Sequence, residues 1–249
     1  MITLPTTTIL LVASNFFAFS YAQTPVTAAF TDPVTGMQFQ RFFGARTQFG
    51  FGIALPENPT TDFIGQLTFP LTNGGGWGGI GLTDDMEGPL LLAVWPDGNT
   101  VRSSFRVSED EDDSPPVRSG AFKVVPIPEG TSVTATDLSF TFLCQNCIGT
   151  GLGFAAGNTL GTFSMGWGLG GEAVSDPGNE GTELPFHEIG FGEFIAQLSD
   201  ARNPLFGEWA LAGAGVVSNG STTAVTPFAA GAGGLNFGDD DDDENEDDD

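Results

Sequence analysis

Histidine is almost missing from this chain: His187, in the stretch Leu184-Pro-Phe-His-Glu-Ile-Gly190, is the only one in 249 residues. A zinc or copper site built on several imidazoles is therefore excluded, because one ring supplies one ligand. A Ser-His-Asp triad would have to use His187, yet no Gly-x-Ser-x-Gly elbow occurs. Bases are scarce too, 7 Lys and Arg against 32 Asp and Glu, for a formal charge of −25. Such a chain repels phosphate backbones, which argues against nucleic acid as a partner. Long apolar runs are absent: the longest, Ile9 to Phe19, is too short to span a bilayer. No Gly-x-Gly-x-x-Gly set stands between a strand and a helix, since Gly-rich runs such as residues 74–79 lie in strand-like sequence. A glycosidase needs two facing carboxylates, and no pair can be chosen among Asp84, Asp85, Glu87, Glu183 and Glu188.

What is present is unevenly spread. Residues 1–22 read as a secretory signal, with the apolar Ile9 to Phe19 followed by Ser20-Tyr21-Ala22 before Gln23. An N-terminal anchor is the alternative. The reading is a secreted, extracellular chain without a membrane span. Fifteen of the 32 acids lie in two runs, Glu109 to Asp113 and the tail after Gly238, which leaves 17 beside the 7 bases. The mature chain keeps 20 of the 23 Phe and all four Trp but loses Tyr21, the only tyrosine. Residues 23–211 are expected to form one domain, 212–238 a flexible Gly/Ala/Ser/Thr linker, and 239–249 an acidic disordered tail. Asn219 heads the only N-glycosylation sequon, Asn219-Gly220-Ser221.

The pattern along the folded part is all-β. Phe49, Phe51, Ile53 and Leu55 alternate with Gly50, Gly52 and Ala54, and Leu138, Phe140 and Phe142 alternate likewise. Leu90 to Trp95, the turn Pro96-Asp97-Gly98-Asn99 and Thr100 to Val107 read as a hairpin. Trp77 to Leu82, Phe122 to Val125 and Thr162 to Leu169 add further strands, and only Phe194 to Ala201 looks helical. Short strands with turns at this spacing predict a two-sheet β-sandwich.

Cys144-Gln145-Asn146-Cys147 is most simply a local disulfide in a secreted chain, with a redox pair as the alternative. A lone His can supply one axial ligand to a haem, with a thioether as the other. Beside Met1 the thioethers are Met37, Met86 and Met165. Met165 lies in strand-like sequence and reads as core, Met37 sits at the edge of an early strand, and Met86 sits in the polar loop Thr83-Asp-Asp-Met-Glu-Gly-Pro89.

Several ordered segments carry a resemblance. They are Phe51-Gly-Ile-Ala-Leu-Pro56, Asp62-Phe-Ile-Gly-Gln-Leu67, Gly76-Trp-Gly-Gly-Ile-Gly81, Met86 and the run from Leu90 to Arg106. Thr141-Phe-Leu-Cys-Gln-Asn-Cys147, Gly166-Trp-Gly168 and Phe186-His187 with Gly190-Phe-Gly192 continue it. Together they resemble the haem b cytochrome domain of fungal cellobiose dehydrogenase, a DOMON-related iron reductase domain. The resemblance implies an immunoglobulin-like, DOMON-like β-sandwich, non-covalent haem b with Met86 and His187 as axial ligands, and a Cys144–Cys147 disulfide.

It also implies a role in lignocellulose degradation: single electrons pass from a flavin dehydrogenase to a copper lytic polysaccharide monooxygenase or ferric ion. The expected protein is a free-standing monomer that lacks the flavin domain, and so an electron-transfer protein with no substrate oxidation of its own. Trp77, Ile80 and Leu92 are expected to pack in the haem pocket or in the core. One or more of Arg41, Arg46, Arg102, Arg106 and Arg118 is a candidate partner for a haem propionate. The acidic stretch 107–116 replaces an aromatic-containing stretch of the family and would border the haem edge. The alternative is a haem-free DOMON-type carbohydrate-binding module.

Overall fold

The protein is described by a computed structural model over residues 23–214. The signal segment, Asn219, the acidic tail and the expected linker beyond residue 214 lie outside the described residues. Thirteen strands and one helix follow in order. They are β1 (Ala28–Thr31), β2 (Gln38–Phe43), β3 (Gly50–Pro56), β4 (Phe63–Pro70), β5 (Trp77–Gly81), β6 (Leu91–Asp97) and β7 (Thr100–Arg106). β8 (Lys123–Pro126), β9 (Ser132–Val133), β10 (Asp137–Gln145), β11 (Thr162–Gly170), β12 (Gly190–Gln197), β13 (Arg202–Asn203) and α1 (Phe206–Ala214) complete the set.

The strands form two layers. One sheet runs β1-β2-β3-β4-β10-β8, with β13 beside β3 and β9 beside β10; the other runs β12-β11-β5-β6-β7. Alternate residues of each sheet meet in one core. Phe42, Phe51, Ile53, Leu67 and Phe140 face Ile80, Leu92, Val94, Met165, Leu169 and Phe194 across it. The rings of Phe42 and Phe194 stack at 4.7 Å between the layers. At about 25 cal/mol per Å² of apolar surface, each such buried side chain contributes about 2 kcal/mol, so aromatic alternation drives the sandwich.

The opposite face of the larger sheet is buried as well. Met37, Phe39, Ala54, Ile64 and Leu143 pack under Phe206 and Trp209 of α1. Glu208 in the first turn suits the positive end of that helix. Two sequence expectations change here. The segment Phe194 to Ala201 does not form a helix: its first four residues end β12, with Phe194, Ala196 and Leu198 buried at strand period. The expected domain boundary at 211 falls inside α1, which continues to Ala214.

The predicted hairpin is β6–β7, closed by Gly98 at φ +60° and by Thr100 Oγ1 donating to Asp97 O at 2.8 Å. Met165 is fully buried in β11, and Met37, just before β2, is nearly so. Cys144 and Cys147 form a disulfide at the end of β10. No helix among the described residues is long and apolar enough to cross a membrane.

Candidate functional site

The outward face of the smaller sheet has a bare floor. β5 and β11 pair with Gly81 opposite Gly166, Ile80 opposite Trp167, and Gly79 opposite Gly168. Because faces alternate along a strand, Ile80 and Trp167 point into the sandwich and the four glycines point out. Two loops close over this floor, residues 82–90 between β5 and β6, and residues 171–189 between β11 and β12.

The first loop carries Met86. Thr83 O accepts from Gly166 N at 2.6 Å, and a Cβ on Gly166 would stand only 3.2 Å from that oxygen. Glycine thus lets the loop lie directly on β11. Side chains brace the turn: Thr83 Oγ1 accepts from Asp85 N and Asp85 Oδ1 from Glu87 N, both at 3.2 Å. Met86 is half-buried between the exposed Asp85 and Glu87.

The second loop carries His187 and is pinned by outward-facing residues of β5, β6 and β7. Trp95 Nε1 donates to Pro177 O at 3.0 Å and Trp77 Nε1 to Pro185 O at 2.9 Å. Arg106, only 2% exposed, donates through Nη2 to Glu180 O at 2.6 Å and Thr182 O at 2.8 Å. Its Nη1 reaches Pro115 O at 3.0 Å and its Nε reaches Ser104 Oγ at 2.8 Å. Burial pushes the Arg106 guanidinium down to about 10, so it stays charged at neutral pH. Val174 and Leu184 of the loop pack with Trp77, Ala93 and Trp95.

These pins set His187 over Gly168, with its Cβ and Cδ2 3.5 Å from where a Cβ on that glycine would be. Gly166 and Gly168 are two residues apart on one strand, about 7 Å, so the Met86 loop and His187 cover adjacent parts of one floor. Aromatic rings frame the imidazole, Phe186 at 4.4 Å, Phe191 at 4.7 Å and Trp77 at 6.3 Å between centroids. Phe186 and Phe191 are 65% and 64% exposed, an apolar rim of the sort that marks a binding surface.

Desolvation lowers the His187 pKa against the opposing charge of Glu188, so the ring is biased to its neutral form. Its buried Nδ1 has no hydrogen-bond partner among the described residues. Glu188, the neighbouring carboxylate, is turned away and accepts from Gly171 N at 2.9 Å.

The acidic stretch joins the two loops. Ser108, just before it, bridges to Glu87 and its carbonyl accepts from Gly88 N at 3.0 Å. Ser114, just after it, accepts from Leu184 N at 2.9 Å. Glu109 to Asp113 are all exposed, so the rim beside both loops is strongly negative.

Of the expected pocket residues, the structure brings Trp77 to His187 and puts Ile80 and Leu92 in the sandwich core. Gly79, Gly81 and Ala93 take the outward positions instead. Among the arginines, Arg106 is spent on the loops, Arg102 on Asp97 at 2.9 Å, and Arg41 on Thr68 Oγ1 at 2.7 Å. Arg46 and Arg118 are exposed, and Arg46 adjoins Thr47, whose Cγ2 lies against Gly190. Phe186, Phe191, Trp95 and Ser114 were not singled out in the sequence as functional. The clustering of Phe186 and Phe191 around the single histidine is the signal that was there to read.

Comparison with known proteins agrees with this architecture. The family model described as the cytochrome domain of cellobiose dehydrogenase matches residues 30–208, well over half of the chain. The solved cytochrome domain of Myriococcum thermophilum cellobiose dehydrogenase superposes with a TM-score of 0.68 at 30% identity. That match covers 77% of this chain and 98% of the other. The cytochrome b domain of pyranose dehydrogenase from Coprinopsis cinerea has the same fold, with a TM-score of 0.67, 24% identity, and coverage of 75% and 95%. The curated pyrroloquinoline quinone-dependent pyranose dehydrogenase of Coprinopsis cinerea is 30% identical over 141 residues, or 55% of this chain. That match spans only 19% of the curated relative's length. The chain belongs to the family of cytochrome domains of cellobiose dehydrogenase.

Proposed function

We propose that this domain holds haem b between Met86 and His187 and relays single electrons. The observation that carries the reading is the pairing of two loops on one glycine floor. One presents the chain's only imidazole, biased neutral with a buried, unpartnered ring nitrogen, and the other presents a half-buried thioether. The residues fit the group. An imidazole nitrogen and a thioether are donors that haem iron takes, the glycines leave the floor free of side chains, and Phe186 and Phe191 offer apolar surface to a macrocycle.

Haem bound in this way supplies a one-electron couple whose potential the thioether raises. The protein's part is positional. Trp77, Trp95, Arg106 and Ser114 hold the His187 loop, and Gly166 with the Ser108 backbone holds the Met86 loop. Were Met86 and His187 both to bind the iron, they would leave oxygen no open site on it, which favours carrier chemistry.

The donor is a sugar dehydrogenase. Cytochrome domains of this kind occur in a cellobiose dehydrogenase and in a pyrroloquinoline quinone-dependent pyranose dehydrogenase, so the donor cofactor can be flavin or quinone. The acceptor is a copper lytic polysaccharide monooxygenase or ferric ion, and the setting is extracellular. The visible spectrum of the purified protein tests this reading. A Soret band, with resolved α and β bands after dithionite, is expected. Absence of these bands after haem reconstitution would refute it and favour the haem-free carbohydrate-binding module.

A further inference from the structure

Sulfur is scarce in this chain. Beyond Met1 it is carried by Met37, Met86, Met165 and the two cysteines. Cys144 and Cys147 are spent on their disulfide and are 1% and 0% exposed. Met165 is 0% exposed in the sandwich core, and Met37 is 4% exposed under α1. Met86 is half-buried and belongs to none of the three apolar clusters of the described residues. Among those residues it is the one sulfur-bearing side chain that stands outside the core.

The loop does not depend on this side chain for its course. Backbone bonds hold it on either side, Gly166 N donating to Thr83 O at 2.6 Å and Gly88 N to Ser108 O at 3.0 Å. Between them the Thr83 hydroxyl and the Asp85 carboxylate accept from Asp85 N and Glu87 N. A polar atom added at Met86 is therefore compatible with the fold. One added at Met165 would be buried without a partner in apolar packing, which disfavours it.

We infer that Met86 is a site of reversible oxidation by a neutral hydroperoxide, and that the added oxygen and haem iron exclude each other at its sulfur. A sulfur lone pair attacks one oxygen of hydrogen peroxide. The S–O bond forms as the O–O bond breaks, sulfur loses two electrons, and the second oxygen leaves as water. Anionic oxidants are disfavoured, because Asp84, Asp85 and Glu87 around Met86 are exposed carboxylates. Ser108, bridged to Glu87, brings the exposed run Glu109 to Asp113 close as well. The sulfoxide is polar and lacks the soft, polarizable donor of the thioether. An oxidised chain is left with His187 alone for the iron and loses the rise in potential that a thioether gives. That consequence rests on the reading of Met86 as a haem ligand; the oxidation itself does not.

The test treats the full chain with dilute hydrogen peroxide, haem-free and haem-loaded, and locates the added oxygen by peptide mass spectrometry. In the haem-free protein Met86 is expected to gain one oxygen about tenfold faster than Met37 or Met165, as its exposure dictates. Haem should slow that gain about tenfold, because a sulfur held in the bound form is withdrawn from competing chemistry. Haem added to the oxidised chain should give shifted α and β bands and a lower midpoint potential, and a methionine sulfoxide reductase should restore both. In Met86→Leu, peroxide treatment before haem loading should change neither. Equal oxidation of the three methionines in the haem-free protein would overturn the proposal and leave the haem reading standing. Selective oxidation that haem does not slow, with unchanged bands in the oxidised chain, would overturn the exclusion at the sulfur and Met86 as a ligand with it.

Discussion

Replacing Arg106 with Met keeps an aliphatic stem and deletes every donor. Four hydrogen bonds go, to Ser104 Oγ, Pro115 O, Glu180 O and Thr182 O. Bonds from a charged donor are each worth about 1.5–3 kcal/mol, and a buried acceptor left unpaired costs about 1–3 kcal/mol. The thioether side chain regains part of this by avoiding the desolvation of a charge, so a net loss of about 3 kcal/mol is expected. At about 2–4 °C per kcal/mol for a domain of this size, Tm should fall by about 10 °C. Scanning calorimetry measures that drop on the haem-loaded protein. Because Arg106 ties Pro115 and Thr182 to the β7 strand, haem release should also quicken, measured by transfer to apomyoglobin. Arg106→Lys should recover only part, since one ammonium cannot reach carbonyls on two loops. A Tm within about 2 °C of wild type, less than one ordinary hydrogen bond is worth, would refute the reasoning.

Gly168→Ala should be tolerated, because its Cβ meets His187 at an ordinary 3.5 Å. Gly168→Leu should push His187 off the floor and lose most of the Soret absorbance; an unchanged spectrum would contradict the placement. In the haem-free protein His187 should titrate below the ordinary histidine value of about 6.5, as desolvation requires. The stability that this neutral ring contributes is present above 6.5 and is lost as pH falls from there through the folded value. With one histidine in the chain, its imidazole proton resonances need no assignment, and a midpoint at or above 6.5 would contradict the burial argument. Changing Glu109 to Asp113 into the corresponding amides should raise the haem midpoint potential at low salt, because nearby negative charge favours the oxidised state. An unchanged potential in spectroelectrochemistry would place that loop away from the site.

Much of the sandwich was legible because its strands alternate cleanly. Phe51, Ile53 and Leu55 gave β3, and Leu138, Phe140 and Phe142 gave β10. β12 escaped because Gly190-Phe-Gly-Glu193 hides its period, and Ile195 between Phe194 and Ala196 gives a short run that also reads as helix. That Ile80 and Leu92 take the core alternative was hidden for a related reason. Period two separates the faces of a strand without saying which face looks inward. Here both faces of β5 and β6 are covered, one by the core and the other by Trp77, Ala93 and Trp95 under the His187 loop. The better clue was the alternate glycines 79, 81, 166 and 168, since a strand bare on one face lets another segment lie close. Met86 and His187 were reached through scarcity and resemblance. Nothing local in Thr83 to Pro89 or Leu184 to Gly190 discloses that the two loops share a floor, because that depends on the β5–β11 register.

Iron K-edge X-ray absorption of the haem-loaded protein tests the central claim most directly, since it counts the atoms bound to the metal. One sulfur scatterer with nitrogen in the remaining positions is expected, with the sulfur lost in Met86→Ala. His187→Ala should leave the protein largely haem-free. A wild-type spectrum without sulfur, or sulfur that persists in Met86→Ala, would contradict the account.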